Sequence, residues 1–88
     1  MGYSLYILRS LSSDKFYIGS SDDPVRRLGF HNTLEKGFTS RYRPWEIAFT
    51  QEFSTKEEAT RAERKAKSWK SRKMISRLIA GEIQVIPR

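Results

Sequence analysis

The hydrophobic and polar positions fall into two short β-like blocks followed by stretches with helical spacing. Residues 3–8 (Tyr-Ser-Leu-Tyr-Ile-Leu) are rich in strand formers, and so are residues 15–19 (Lys-Phe-Tyr-Ile-Gly). The polar, turn-forming residues 9–14 between them predict a hairpin. Residues 20–23 read as a loop. Asp23-Pro24 has the form of an N-cap followed by proline at the first helical position, which predicts a helix over residues 24–32.

Residues 33–44 mix Gly37, Ser, Thr and basic side chains, and read as a loop. The composition of residues 45–53 is that of a strand. Thr55, followed three positions later by Glu58, forms a capping box that opens a second helix running to about residue 70, with Phe53 placed as a staple. Ser71 caps a short third helix ending before Gly81. Residues 82–86 alternate weakly and fit either a last strand or a tail. The order β-β-α-β-α-α predicts an α+β fold: a three-stranded, mainly antiparallel sheet flanked by helices. No repeat, low-complexity tract or linker interrupts the 88 residues, so one domain is expected over residues 1–88.

Composition narrows the chemistry. There is no cysteine, which excludes a disulfide framework, a thiolate zinc site and a cysteine nucleophile. No apolar run approaches the roughly 20 residues that span a bilayer, and the N-terminus lacks a signal-peptide profile, so no membrane partner is expected and the cytoplasm is the default location. The net charge is +7, and all of the excess lies in residues 36–88, because residues 1–35 are neutral overall. A one-sided basic surface favours a polyanionic partner, through counterion release from phosphates. A merely solubilising surface is the plainer alternative.

Three sets of side chains are candidates for chemistry. With Ala59 at 0° and about 100° per residue, Ala62, Glu63, Ala66 and Lys70 fall within about 60° on one stripe of the second helix. Glu63 therefore lies on the small-residue face that should meet the core, with no other acid between Arg61 and Arg77. A carboxylate aimed inward needs a partner. It is either a structural ion pair, to Lys67 or to an arginine across the core, or a ligand for a hard metal such as Mg²⁺. The helix by itself favours the ion pair.

On the first helix, Arg27 and His31 share a face with Leu28, and His31 is the only histidine. Arginine suits phosphate oxygens, and histidine moves protons near neutral pH. Taken singly, such a histidine is more often packed than catalytic. Tyr6 and Tyr17 stand one on each hairpin strand, where tyrosines usually serve the core. Gly19 allows close approach of backbone or substrate.

Together these residues form a known pattern. Ser4-Leu5-Tyr6, ten intervening residues and Tyr17-Ile18-Gly19 resemble the GIY-YIG nuclease signature. Arg27 follows eight residues after Gly19, His31 four later, and Glu63 lies in a downstream helix. The stretches Thr39-Ser40-Arg41-Tyr42-Arg43-Pro44-Trp45 and Glu63-Arg64-Lys65-Ala66-Lys67-Ser68-Trp69 look like the small stand-alone bacterial branch, related to the nuclease domain of the bacterial excinuclease. The resemblance covers about residues 3–79. The first triplet departs from the pattern, with Ser-Leu for Gly-Ile, although its tyrosine is in place and Leu5 can fill the core as isoleucine would.

The resemblance implies an endonuclease that hydrolyses DNA phosphodiesters with one divalent metal, Mg²⁺ or Mn²⁺, in repair or recombination, and it turns the reading of Glu63 toward a metal ligand. By the same likeness Tyr6 or Tyr17 positions the attacking water, with Tyr6 preferred as the proton acceptor. Arg27 offsets phosphate charge, and His31 binds phosphate or shuttles the proton. The basic loop with Lys36, Arg41, Tyr42 and Arg43, together with Arg64 and Lys67, is the expected track for DNA, single-stranded or branched. Tyr42 and Trp45 are candidates for base stacking, with packing favoured for Trp45. The rival readings are a non-enzymatic nucleic-acid-binding domain on the same scaffold and a module whose basic face docks an acidic protein.

Overall fold

The computed structural model describes residues 2–34 and 36–86. Three strands, β1 (Tyr3–Ser10), β2 (Phe16–Ser21) and β3 (Trp45–Phe53), form one sheet in the order β2-β1-β3. Both pairings are antiparallel, so the sheet is wholly rather than mainly so. Four helices accompany it: α1 (Pro24–Thr33), α2 (Phe38–Arg41), α3 (Lys56–Ser68) and α4 (Arg72–Ile79). The architecture is the expected α+β fold.

Local chemistry sets the helix boundaries. The Asp23 carboxylate accepts from the Arg26 amide at 3.1 Å, and Pro24 opens α1. The Thr55 hydroxyl accepts from the Glu58 amide at 3.2 Å, the N-cap half of a capping box, and donates to the Glu58 carboxylate at 3.3 Å. Ser71 caps α4 by accepting from the Met74 amide at 3.2 Å. Between α3 and α4 the chain turns at Lys70, which has a left-handed φ of 48°.

Strand alternation divides the interior into two layers. Leu5 and Ile7 of β1 face α3 and α4, where they pack with Ala62, Ala66, Ile75, Leu78 and Val85. Each fully buried leucine, isoleucine or valine of this set contributes about 1.5–3 kcal/mol. Tyr6 and Leu8 face the other way, with Trp45 and, at their margin, Tyr17, Leu28 and Ile47. A bulge in β3 serves both layers. Ile7 pairs with Phe49 but Leu8 with Ile47, leaving Ala48 as the extra residue. Trp45 and Ile47 thus reach the α1 layer while Phe49 and Phe53 reach the α3 layer.

Two expectations are corrected, and one open alternative is decided. Residues 33–44 are not all loop, because Phe38–Arg41 makes one helical turn, α2, capped by Gly37 without a side-chain bond. The strand ending at residue 19 continues to Ser21, since Ser20 and Ser21 keep their pairing with Leu5 and Ser4. Residues 82–86 form a tail rather than a strand, fastened by buried Val85, whose carbonyl accepts from Gln51 Nε2 at 3.3 Å.

Candidate active site at the edge of β2

Cross-strand partners share a face, so Tyr6 and Gly19 stand opposite each other on the α1 side, as do Leu8 and Tyr17. The Tyr6 ring crosses above Gly19, and a Cβ there would lie 2.6 Å from its hydroxyl. The hydroxyl meets His31 Nε2 at 3.0 Å, bringing α1 onto the hairpin. The Tyr17 and His31 rings lie 4.5 Å apart between centroids, and those of Tyr6 and Tyr17 6.3 Å apart. Tyr6 and His31 are both 1% exposed.

Arg27, one turn before His31 on α1, is half-buried and hydrogen-bonds the Tyr6 hydroxyl. Burial pushes Tyr6 above the ordinary tyrosine pKa. The hydrogen bond and charge of Arg27 oppose the rise, while Tyr17 and the Glu63 carboxylate add to it.

Glu63 approaches from the opposite layer. Ser20, which shares the α3-side face with Leu5, donates its hydroxyl to Glu63 Oε1 at 2.6 Å. Lys67, one turn further along α3, donates its ammonium to Oε2 at 2.6 Å. The Glu63 side chain remains 21% exposed. Both bonds are charge-assisted and fix the orientation of its two oxygens. The ion pair to Lys67 named from the sequence is therefore present. It does not exhaust the site, because the electrostatic reach of Glu63 extends to Tyr6 around the edge of β2.

The five sequence-predicted groups Tyr6, Tyr17, Arg27, His31 and Glu63 thus gather from three elements and the hairpin partner around one strand edge. The basic candidates are more dispersed. Lys36 and Arg41 are exposed. Arg43 is half-buried and donates from Nε to the His31 carbonyl at 2.7 Å, bracing the backbone that carries the buried imidazole. Tyr42 packs its ring 4.9 Å from Phe38, and Trp45 is buried, with Nε1 donating to the Thr39 carbonyl at 2.8 Å. Packing is therefore the role of Trp45. Arg64 lies on the outer side of α3 beside Lys56 and Arg61, whereas Lys67 sits at the carboxylate.

Two further residues are not legible as site residues in the sequence. Ser20 falls in a stretch that reads as a loop, where its facing is undefined. Asn32 accepts from the Trp45 amide at 2.7 Å and donates to the Trp45 carbonyl at 3.1 Å, tying the end of α1 to the start of β3. Asparagine near a helix end reads as a cap or turn residue, so no signal marks this long-range role.

Residues 2–76 match the family described as the GIY-YIG catalytic domain. The chain belongs to the GIY-YIG family. Its fold resembles the solution structure of the UPF0213 protein BH0048 from Bacillus halodurans, with a TM-score of 0.57, 30% identity, and coverage of 91% of this chain and 84% of the other. Among curated relatives it is 48% identical over 50 residues to the structure-specific endonuclease subunit slx1 of Pyrenophora tritici-repentis, covering 51% of this chain and 14% of that protein. It is 47% identical over 62 residues to the protein of the same name from Schizosaccharomyces japonicus, covering 64% and 23%. This GIY-YIG chain therefore spans less than a quarter of the length of either curated relative.

Proposed function

We propose that this GIY-YIG domain is a metal-dependent endonuclease that hydrolyses DNA phosphodiesters, with branched or single-stranded DNA as substrate and repair or recombination as its setting. The observation that carries this is the convergence of Tyr6, Tyr17, Arg27, His31 and Glu63 at the edge of β2. The names of the curated relatives, which describe structure-specific endonucleases, support the choice of DNA with irregular structure.

Glu63 suits a divalent metal. Its carboxylate is a hard oxygen donor, partly exposed and held in one orientation by Ser20. No group of three or more His, Asp or Glu side chains that could hold a metal exists among the described residues. Mg²⁺ does not require one, since it commonly takes one or two carboxylates together with phosphate oxygens and retained waters. When bound, Mg²⁺ or Mn²⁺ supplies Lewis-acid stabilisation of charge on the phosphate. Lys67, released from the carboxylate, is then available to a phosphate oxygen.

The protein side chains handle the proton. Tyr6 is held neutral at physiological pH, so it does not act as a standing phenolate. It accepts a proton from the attacking water while passing its own to His31 Nε2, 3.0 Å away, which makes His31 the partner of the tyrosine rather than a direct phosphate ligand. The 1% exposure of His31 fits that role. Tyr17 walls the site, and Arg27 offers its guanidinium to the phosphate as charge develops, an effect worth about 10²–10³ in rate.

The test is cleavage of supercoiled plasmid, single-stranded and branched DNA with Mg²⁺ or Mn²⁺, wild type beside Glu63→Ala. Metal-dependent cutting by wild type alone, with both proteins binding DNA equally in EDTA, is the expected result. Binding by both without cutting by either would leave the Glu63–Lys67 pair structural and favour a nucleic-acid-binding domain.

A further inference from the structure

On the α3 side of the sheet, a groove of about 390 Å³ runs between β2 and the turn joining α3 to α4. Its floor is apolar, with Phe16 and Ile18 from the strand facing Ala66 and Ile75 from the helices. Its rim is cationic, carrying Lys67, Lys70 and Arg72 against the single acid Asp14.

Three observations bear on its occupant. The first is continuity. Lys67 lines the groove and also holds Glu63, and Ile18 precedes by two residues the Ser20 that holds the other carboxylate oxygen. The groove therefore shares Lys67 with Glu63 and runs toward it along β2. From Ser20 back to Phe16 the strand covers about 13 Å at about 3.3 Å per residue, room for a few nucleotides of one strand.

The second is Lys70. Its φ of 48° is the left-handed conformation that follows many helices, where glycine is the favoured residue. A lysine there is strained, and no carboxylate pairs with its ammonium among the described residues. Glycine would suit the turn better, and lysine instead sets a cation on the rim of the groove at a conformational cost.

The third is Arg72. Its guanidinium lies over the Phe16 ring at 5.7 Å and contacts Asp14 at 3.0 Å, with both charged side chains more than 60% exposed. An ion pair so exposed contributes little and exchanges readily for a phosphate.

We infer that this groove binds the sugar–phosphate backbone of a single DNA strand and leads it along β2 away from Glu63. Lys70 and Arg72 take successive phosphates, and the apolar floor takes a sugar or base face, the combination of cationic groove and aromatic platform that suits unpaired strands. The assignment rests on the nuclease reading of Glu63.

The experiment is fluorescence anisotropy in EDTA with a labelled 12-nucleotide oligothymidylate and a blunt duplex. Wild type, Lys70→Gly and the double variant Lys70→Gly/Arg72→Ala are compared over a range of salt. Glycine fits the backbone at position 70, so weaker binding by Lys70→Gly cannot be ascribed to misfolding. Single-strand affinity should fall about tenfold in the double variant, with the slope of log K against log salt reduced by about 1.4, two phosphates' worth. Duplex affinity should fall less than single-strand affinity, since the groove takes one strand. If wild type binds and cuts DNA while the double variant keeps the wild-type single-strand affinity and slope, the groove assignment falls and the nuclease stands. Failure of wild type both to bind and to cut overturns the two together.

Discussion

The hydroxyl of Tyr6 lies above its cross-strand partner Gly19, so near that a methyl group at position 19 would sit 2.6 Å from it. The tyrosine is buried, so it cannot swing aside cheaply. Gly19→Ala should therefore push the phenol off His31 Nε2. A misplacement of about 1 Å at a reacting group costs on the order of 10² in rate, and overpacking costs about 1–3 kcal/mol of stability. Cleavage kinetics and urea unfolding of the variant check the two numbers separately. Wild-type kcat would show that the Tyr6–His31 contact is dispensable.

The position of Tyr6 between Arg27 and Glu63 makes its titration a report on the site. Burial and the negative charge of Glu63 both disfavour the phenolate, whereas Arg27 favours it. In wild type one tyrosine should ionise above the usual range when followed by absorbance of the phenolate. Glu63→Gln should bring that ionisation to lower pH, and Arg27→Ala should drive it higher. Shifts of the opposite sign would contradict the electrostatic account.

Ser20→Ala removes the hydrogen bond to Glu63 Oε1 without touching the carboxylate. Supporting partners of metal-binding groups are typically worth 10–100-fold in affinity or activity. About a tenfold higher Mn²⁺ requirement for cleavage is expected, with DNA affinity in EDTA unchanged. A metal titration identical to wild type would make the Ser20 bond incidental.

The double hydrogen bond between Asn32 and the Trp45 backbone fastens the basic segment at both ends. Asn32→Ala leaves one amide and one carbonyl without their partner, each worth about 1–3 kcal/mol when buried. A loss of roughly 2–3 kcal/mol in chemical denaturation is expected for this partly buried pair. Asn32→Asp can still accept from the Trp45 amide, so it should recover part of that loss.

The α+β architecture and its order of elements were plain in the sequence. Tyr6, Tyr17, Arg27, His31 and Glu63 stood out as a set only through their likeness to the GIY-YIG pattern, since periodicity alone made packing or an ion pair the plainer role of each. The caps at Asp23, Thr55 and Ser71 were equally plain, since capping is local chemistry. What was hidden depended on distant residues. Ser20 faces Glu63 only because β2 runs past Gly19, and its pairing with Leu5, not its own propensity, extends the strand. The single turn of α2 is too short for helical periodicity, and the packing of Phe38 against Tyr42 and Trp45 accompanies it instead. Arg43 read as a DNA contact by charge, while its bond to the His31 carbonyl became visible only in three dimensions.

The extra residue in β3 has a larger reach than its size implies. Trp45, Ile47, Phe49 and Phe53 all occupy odd positions, and in an unbroken strand they would crowd one face of the sheet and leave the other bare. Ala48 inverts the parity midway, so that one run of apolar residues closes two separate interiors, one behind the tyrosines and one behind Glu63. The two halves of the candidate site are thus synchronised by a count. Remove one residue there and Trp45 turns to the wrong side, taking with it the Asn32 clasp and the alignment of α1 that aims Arg27 and His31 at the edge of β2.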